Sequence, residues 1–204
     1  MKVCPSGDHP AGASKKQEKQ ERRNGMPSRI SRRELKILDW MYEHLRCKVF
    51  DRIMPFLSLT GNFGIIWFAA AGTFYFANIN QEAAICILLA LGCSLLFVNL
   101  ILKRVTKRPR PYEVRGELRD TIIREPKDFS FPSGHTFSSF AAATAIVRFS
   151  PKFGIAALVY ASGIAFSRLY LYVHYISDVL TSAIFGVATG ILVSYLYTRG
   201  IIVF

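Results

Sequence analysis

Four stretches of this chain, residues 53–81, 83–102, 153–167 and 179–198, contain no Asp, Glu, Lys or Arg. A fifth, 129–147, carries no formal charge except at His135, and Arg148 can snorkel from its far end. Apolar runs of this length match a hydrocarbon core about 30 Å thick, which takes roughly 20 helical residues to cross. They predict an all-α polytopic membrane helix bundle with about five transmembrane helices, over 62–80, 83–102, 132–150, 153–173 and 176–198. Residues 78–81 read as a tight turn between the first two. Gly186 and Gly190, one helical turn apart, let neighbouring helices approach closely, as bundles in lipid require.

Upstream the pattern changes. Residues 1–29 mix Lys15, Lys16, Lys19, Arg22, Arg23 and Arg29 with Gln, Gly, Ser and Pro, a composition that buries too little apolar surface to offset ordering and predicts a disordered basic tail. It lacks the apolar core of a signal peptide, and Met26 is an alternative start. In 30–61, Leu35, Leu38, Tyr42, Leu45 and Val49 recur at helical spacing, and Ser31 with Glu34 reads as a capping box. Arg32, Arg33, Lys36, Arg46, Lys48 and Arg52 make this helix too charged to span. It predicts an N-terminal amphipathic interfacial helix on an anionic membrane surface, with a soluble cap over the bundle as the competing arrangement. The transmembrane domain then covers 62–204.

The 204 residues are 51% hydrophobic and 20% charged, with a net charge of +12. The basic residues flank membrane spans instead of forming a soluble patch, which argues against a nucleic-acid partner. Cys4, Cys47, Cys86 and Cys93 have neither paired nor metal-ligand spacing, so no metal site is expected.

Three short polar motifs stand where apolar helices should end. The first, KRVTKRPRP at residues 103–111, places Lys103 and Arg110 at its two ends, stiffened by Pro109 and Pro111; alone it reads as a basic belt held to lipid headgroups. The second, Pro132-Ser133-Gly134-His135, opens an apolar segment whose first turn presents unbonded N–H groups to an anion. His135 at its mouth suits proton donation to a leaving oxygen, while a plainer reading makes Ser133 an N-cap and His135 an interfacial histidine. In the third, Arg168 closes one span, and His174 and Asp178 open the next with i, i+4 spacing on one helical face. That spacing predicts a hydrogen bond from one imidazole nitrogen to Asp178, leaving the other nitrogen's lone pair as a nucleophile. The bland alternative is an interfacial ion pair, but ionisable groups at a membrane boundary are costly, and here three motifs converge. The combination points to phosphoryl transfer.

These motifs resemble the type 2 phosphatidic acid phosphatase family, integral-membrane lipid phosphate phosphatases that share a helical core with vanadium haloperoxidases. The family pattern of Lys, six residues, Arg-Pro; then Pro-Ser-Gly-His; then Ser-Arg, five residues, His, three residues, Asp is met by Lys103, Arg110-Pro111, 132–135, Ser167-Arg168, His174 and Asp178. The resemblance covers about residues 60–200. It implies that Lys103, Arg110 and Arg168 hold phosphate oxygens, with Ser133 and the Gly134 amide completing the cradle. His174 would attack phosphorus to form a phosphohistidine, Asp178 would orient it, and His135 would protonate the departing group and then activate water. Three fixed cations would replace a metal, so no cofactor is expected. The implied substrate is a lipid phosphate whose tail stays among membrane lipids: an isoprenoid diphosphate such as undecaprenyl diphosphate, or alternatively phosphatidylglycerophosphate or phosphatidate. Tyr112, Phe129, Phe131, Tyr170 and Tyr172 are headgroup candidates, although aromatic residues also anchor membrane interfaces.

With five spans in place of the family's six, the N-terminus and all three motifs fall on one side of the membrane. That side holds every Lys and Arg except Arg148, Lys152 and Arg199, which by the positive-inside rule predicts a cytoplasmic active site in a multi-pass membrane protein. Two rival classes remain. A vanadate-dependent haloperoxidase would share the pocket, but the spans oppose its soluble framework. A non-catalytic lipid-binding or transport protein could use a basic loop, but would not need His174, Asp178 and His135 together.

Overall fold

The computed structural model describes residues 29–102, 108–115 and 128–202. The expected tail lies outside them apart from Arg29, which begins helix α1 (Arg29–Leu45). The order continues with α2 (Phe50–Thr60), a 3-10 turn (Asn62–Gly64), α3 (Ile65–Phe76) and α4 (Gln81–Ser94), which runs on as a π-helix (Leu95–Leu102). After the short α5 (Pro111–Arg115) come α6 (Gly134–Phe149), α7 (Pro151–Tyr170) and α8 (Ile176–Thr198). No strand occurs among the described residues.

Local chemistry sets the element ends. The Asn80 side chain accepts from the Ala83 amide at 2.8 Å and caps α4, while Pro151 sits in the first turn of α7. Three helices end in paired backbone bonds around a left-handed residue: α3 at Asn78 (φ 50°), α7 at Tyr172 (φ 61°) and α8 at Gly200 (φ 67°). Asn and Gly suit that conformation; tyrosine does not. Its ring is buried in the cluster beneath α1, and its hydroxyl donates to Asp39 Oδ1 at 2.6 Å, contacts that hold the strained turn.

The centre of the bundle is α6, packed by α8, α7 and α4. Its Ala141, Ala142, Ala143 and Ala145 are fully buried. On α8, a Cβ at Gly186 would stand 2.5 Å from the Phe137 carbonyl oxygen, and one at Gly190 2.6 Å from that of Ala141. Without side chains at these two positions, backbone meets backbone, and dispersion between close helices holds them together where lipid removes the hydrophobic drive.

Among the described residues, three helices are long and apolar enough to cross a membrane by themselves: α4 with its continuation (Gln81–Val98), α7 and α8. The α2–α3 pair, bent by 55°, makes a fourth if taken as one span. The expected span over 132–150 corresponds to α6, whose 16 residues reach about 24 Å, less than a hydrocarbon core of roughly 30 Å. The first span, expected to begin at 62, has that position inside the bend instead, because α2 already belongs to the bundle and packs against α7.

Helix α1 is amphipathic, but its stripe meets protein. Leu35, Leu38 and Met41 pack with Met54, Tyr112, Val114 and the aromatic segment after α7, so α1 covers the polar end of the bundle, and Ile37 and Trp40 are exposed on its outer face. Ser31 and Glu34, expected to cap the helix, lie inside it and bind Arg108.

Replacing Gly190 by Ala should destabilise the bundle by about 1–3 kcal/mol through overpacking. Gly72→Ala, where nothing lies within 4 Å of the added Cβ, should be neutral or slightly stabilising. Thermal unfolding in detergent checks both, and equal Tm values for the two variants would contradict the close α6–α8 contact.

Candidate active site

The N-termini of α6 and α8, the C-terminus of α7 and the 108–110 segment meet at one end of the bundle, beneath α1. The left-handed turn at Tyr172 directs the chain from α7 toward α8 and presents the Val173 carbonyl, which accepts from Arg110 Nη1 at 2.8 Å. His174 follows, 2% exposed.

The direct His174–Asp178 hydrogen bond expected from the i, i+4 spacing is replaced by a longer path. His174 Nδ1 donates to the Ser130 carbonyl at 2.7 Å, while Asp178 Oδ2 stands 3.8 Å from Nδ1, within ion-pair reach. The Ser130 hydroxyl donates to the same Oδ2 at 2.5 Å, and the Tyr175 amide donates to it at 3.0 Å, one half of a capping box at the start of α8. Ser130 thus touches both partners. With hydrogen on Nδ1, the lone pair of Nε2 faces Arg110 Nη1 at 3.3 Å. Burial, reinforced by the Arg110 and Arg168 charges and opposed by Asp178, pushes the imidazole pKa down to about 3, so that lone pair is available at neutral pH.

Arg110 also donates from Nε to the Asp128 carbonyl at 2.7 Å and from Nη2 to the Asp128 carboxylate at the rim. Arg168, 3% exposed, donates from Nη1 to Ser58 Oγ, and its buried Nε has no hydrogen-bond partner among the described residues. No carboxylate pairs with Arg168 among the described residues. A buried cation without an anion is costly, and both guanidinium groups act electrostatically on His174.

Ser133 is fully buried at the N-cap position of α6, but its hydroxyl contacts Thr136 Oγ1 at 3.0 Å and does not cap the helix. Its amide donates to Ser182 Oγ at 2.8 Å, and Ser182 donates to the Asp178 carbonyl at 2.6 Å, tying the second motif to the third. A Cβ on Gly134 would meet only Val98 Cγ1, at 3.7 Å, so packing does not require glycine there. His135 is half-buried, its Nε2 2.7 Å from Asn62 Oδ1. Lys103 lies outside the described residues. The structure therefore joins Arg110, His174 and Asp178 by contact, brings Arg168 within electrostatic reach of His174, and attaches Ser133 and His135 through Ser182 and the α2–α3 turn.

Several participants went unassigned in the sequence. Arg108 is the main one: it ion-pairs with Asp178, donates to Glu34 Oε2 at 2.6 Å and to Ser31 Oγ at 3.0 Å, and lies 3.9 Å over the Tyr175 ring. Glu34 Oε1 also accepts from the Ser177 amide at 2.6 Å, so α1 grips the start of α8 twice. Ser58, Asn62, Ser130 and Ser182 are small polar residues in apolar or loop sequence, and only the Asn62 amide, well inside an uncharged run, offered a signal. Among the described residues, no three His, Cys, Asp or Glu side chains form a metal cluster.

Comparison with known proteins follows the same residues. The sequence profile of the PAP2 superfamily matches residues 83–201. Undecaprenyl-diphosphatase BcrC of Bacillus subtilis is 27% identical over 146 residues, which span 71% of this chain and 73% of that protein. Lipid A 4'-phosphatase of Bacteroides thetaiotaomicron is 28% identical over 119 residues, 53% of each chain. Among solved structures, the PAP2-type phosphatidylglycerolphosphate phosphatase of Bacillus subtilis superposes with a TM-score of 0.67 at 21% identity, covering 92% of this chain and 95% of that one. Aquifex aeolicus LpxE gives 0.62 at 24% identity, over 78% of this chain and 93% of its own. At these identities the structural likeness shows a shared fold.

Arg108→Gln would leave Asp178 and Glu34 without their shared cation. Breaking a buried pair costs about 3–5 kcal/mol, and partial exposure of Arg108 places the effect toward the lower end. Glu34→Gln added to Arg108→Gln should recover part of the lost Tm. An unchanged Tm in Arg108→Gln would show that this network does not hold the site.

Proposed function

Because this chain belongs to the PAP2 superfamily, we propose that it is a membrane-embedded lipid phosphate phosphohydrolase acting through a phosphohistidine on His174. The observation that supports this reading is a buried Arg168 whose Nε has no partner among the described residues, in the electrostatic reach of a neutral His174 whose Nε2 lone pair faces Arg110. An anion with several oxygens satisfies the cations, and its central atom lies within reach of the nucleophile.

Arg110 and Arg168, with Lys103 of the first motif, hold the phosphate oxygens. Ser133 and the Gly134 amide complete the cradle; glycine there serves close approach of the ligand, since the surrounding protein leaves room for a Cβ. His174 Nε2 attacks phosphorus as the bond to the leaving oxygen breaks. The positive charge that develops on the imidazole is met by Asp178, while the Ser130 carbonyl keeps the proton on Nδ1. His135 gives a proton to the leaving oxygen. It then takes one from water as water displaces His174 from phosphorus, releasing phosphate. The fixed guanidinium charges stabilise the transition state in the role that Mg²⁺ has in many phosphoryl-transfer enzymes.

The favoured substrate is an isoprenoid diphosphate such as undecaprenyl diphosphate, supported by the 27% identity to an undecaprenyl-diphosphatase along most of that protein's length. Its tail remains in the bilayer beside the exposed apolar faces of the spans. The charge asymmetry supports a cytoplasmic site.

Detergent-purified protein in EDTA should release phosphate from undecaprenyl diphosphate faster than from phosphatidylglycerophosphate or phosphatidate. His174→Ala should abolish release, and Asp178→Asn should leave a residual rate. An acid-labile, alkali-stable phosphoenzyme should be trapped in the wild type alone; normal turnover by His174→Ala would refute the mechanism. For sidedness, a single cysteine introduced in 116–127 should resist an impermeant thiol reagent in intact cells and react after permeabilisation, whereas labelling from outside would reverse the orientation.

A further inference from the structure

The first bundle segment is broken where it passes the site. α2 ends at Thr60, Phe63 (φ 52°) and Gly64 (φ 71°) take left-handed conformations, and α3 leaves at 55° to α2. A break frees backbone groups that lipid cannot satisfy, so it is tolerated where it lies against protein or a polar site. Here the turn lies against the start of α6, which carries Ser133, Gly134 and His135.

Two of its side chains enter the site. Ser58, just before the break, accepts from Arg168, and Asn62, within it, faces His135 with Oδ1 2.7 Å from Nε2. An amide oxygen only accepts, so the imidazole donates and Nε2 carries hydrogen. Gly61 fits the same contact: a Cβ there would stand 2.9 Å from His135 Cδ2 and 3.1 Å from Ile164 Cγ2, so a side chain would push the ring away from the turn. The arrangement selects one atom. With Nε2–H engaged, the proton that the imidazolium gives away is the one on Nδ1, and the neutral ring has its lone pair there.

We propose that Asn62 is a positioning residue for proton transfer, holding His135 through Nε2–H so that Nδ1 protonates the leaving oxygen and afterwards accepts the proton of the attacking water. The proposal rests on the phosphohydrolase reading. In the first step the Nδ1–H proton passes to the leaving oxygen as its bond to phosphorus breaks. In the second, the Nδ1 lone pair takes a proton from water as the new oxygen–phosphorus bond forms and the phosphorus–His174 bond breaks, which returns both histidines to their starting state.

The test uses full-length Asn62→Ala, Asn62→Asp and His135→Ala, each checked for Tm and monodispersity. A mispositioned catalytic group costs up to about 100-fold, so Asn62→Ala should lower kcat on the lipid phosphate by roughly 10- to 100-fold with little change in KM. In the single-turnover rate of phosphoenzyme formation the loss should shrink on 4-nitrophenyl phosphate, whose leaving group needs no proton, and the kcat loss should vanish in the His135→Ala background. In Asn62→Asp the new carboxylate favours the imidazolium and raises its pKa. Because a general acid loses activity as pH rises through its pKa, the alkaline limb of kcat should move upward by about one unit or more. Equal losses in phosphoenzyme formation on both substrates, additivity with His135→Ala or an unmoved limb would overturn the proposal. Ring-nitrogen NMR supplies a readout independent of turnover: His135 should be the Nε2–H tautomer in the wild type and lose that preference in Asn62→Ala. A wild type silent on every phosphate that still shows this tautomer change refutes the phosphohydrolase reading while the contact stands; an unchanged tautomer refutes the contact's role.

Discussion

A carboxylate with no solvent exposure, Asp178, is the constraint around which this end of the molecule is arranged. An ion removed from water costs several kcal/mol unless charge and hydrogen bonds replace its hydration. The replacements come from separate parts of the chain: Arg108 from the loop before α5, Ser130 from the segment before α6, and the Tyr175 amide from the start of α8. Satisfying one buried charge therefore brings together the first and third sequence motifs and the segment that leads into the second. Arg108 extends the requirement to Glu34, so α1 becomes part of the same electrostatic unit.

The bundle makes that arrangement possible by holding its helix ends still. Close backbone contact between α6 and α8 through Gly186 and Gly190 sets the relative height of their N-termini, which carry Ser133, His135 and Asp178. The Ser182 hydroxyl, between the Ser133 amide and the Asp178 carbonyl, transmits this register to the polar groups. On the other side, the broken α2–α3 segment delivers Ser58 and Asn62. Apolar packing thus determines how far apart the charged groups stand, and the charged groups determine where apolar spans bend or stop.

Particular residues show why one part of the site was legible in the sequence and another was not. Arg110, Arg168, His174 and Asp178 were recognisable because their spacing and placement at span ends are local features. Arg108 lay in the same basic run, but its carboxylate partners are 70 and 74 positions away, one in each direction. Ser31 and Glu34 satisfied a local capping pattern, yet an arginine distant in sequence took both side chains. The stripe on α1 was evident, and its partner was not: an apolar face is equally compatible with lipid and with the buried aromatic residues that cover it.

By itself the sequence determined the helical class, the apolar segments of the bundle, the turn at residues 78–81, and the spacing of Arg110, Arg168, His174 and Asp178. Each depends on composition or on spacing within a few turns of helix. Tertiary structure alone decided that Asp178 reaches His174 through Ser130, that α1 covers the end of the bundle where these residues meet, and that the first segment breaks at Asn62. These outcomes depend on which distant groups arrive together. A buried charge or an unsatisfied amide takes whichever partner the packed backbone brings within about 3 Å, and no one-dimensional pattern specifies that choice.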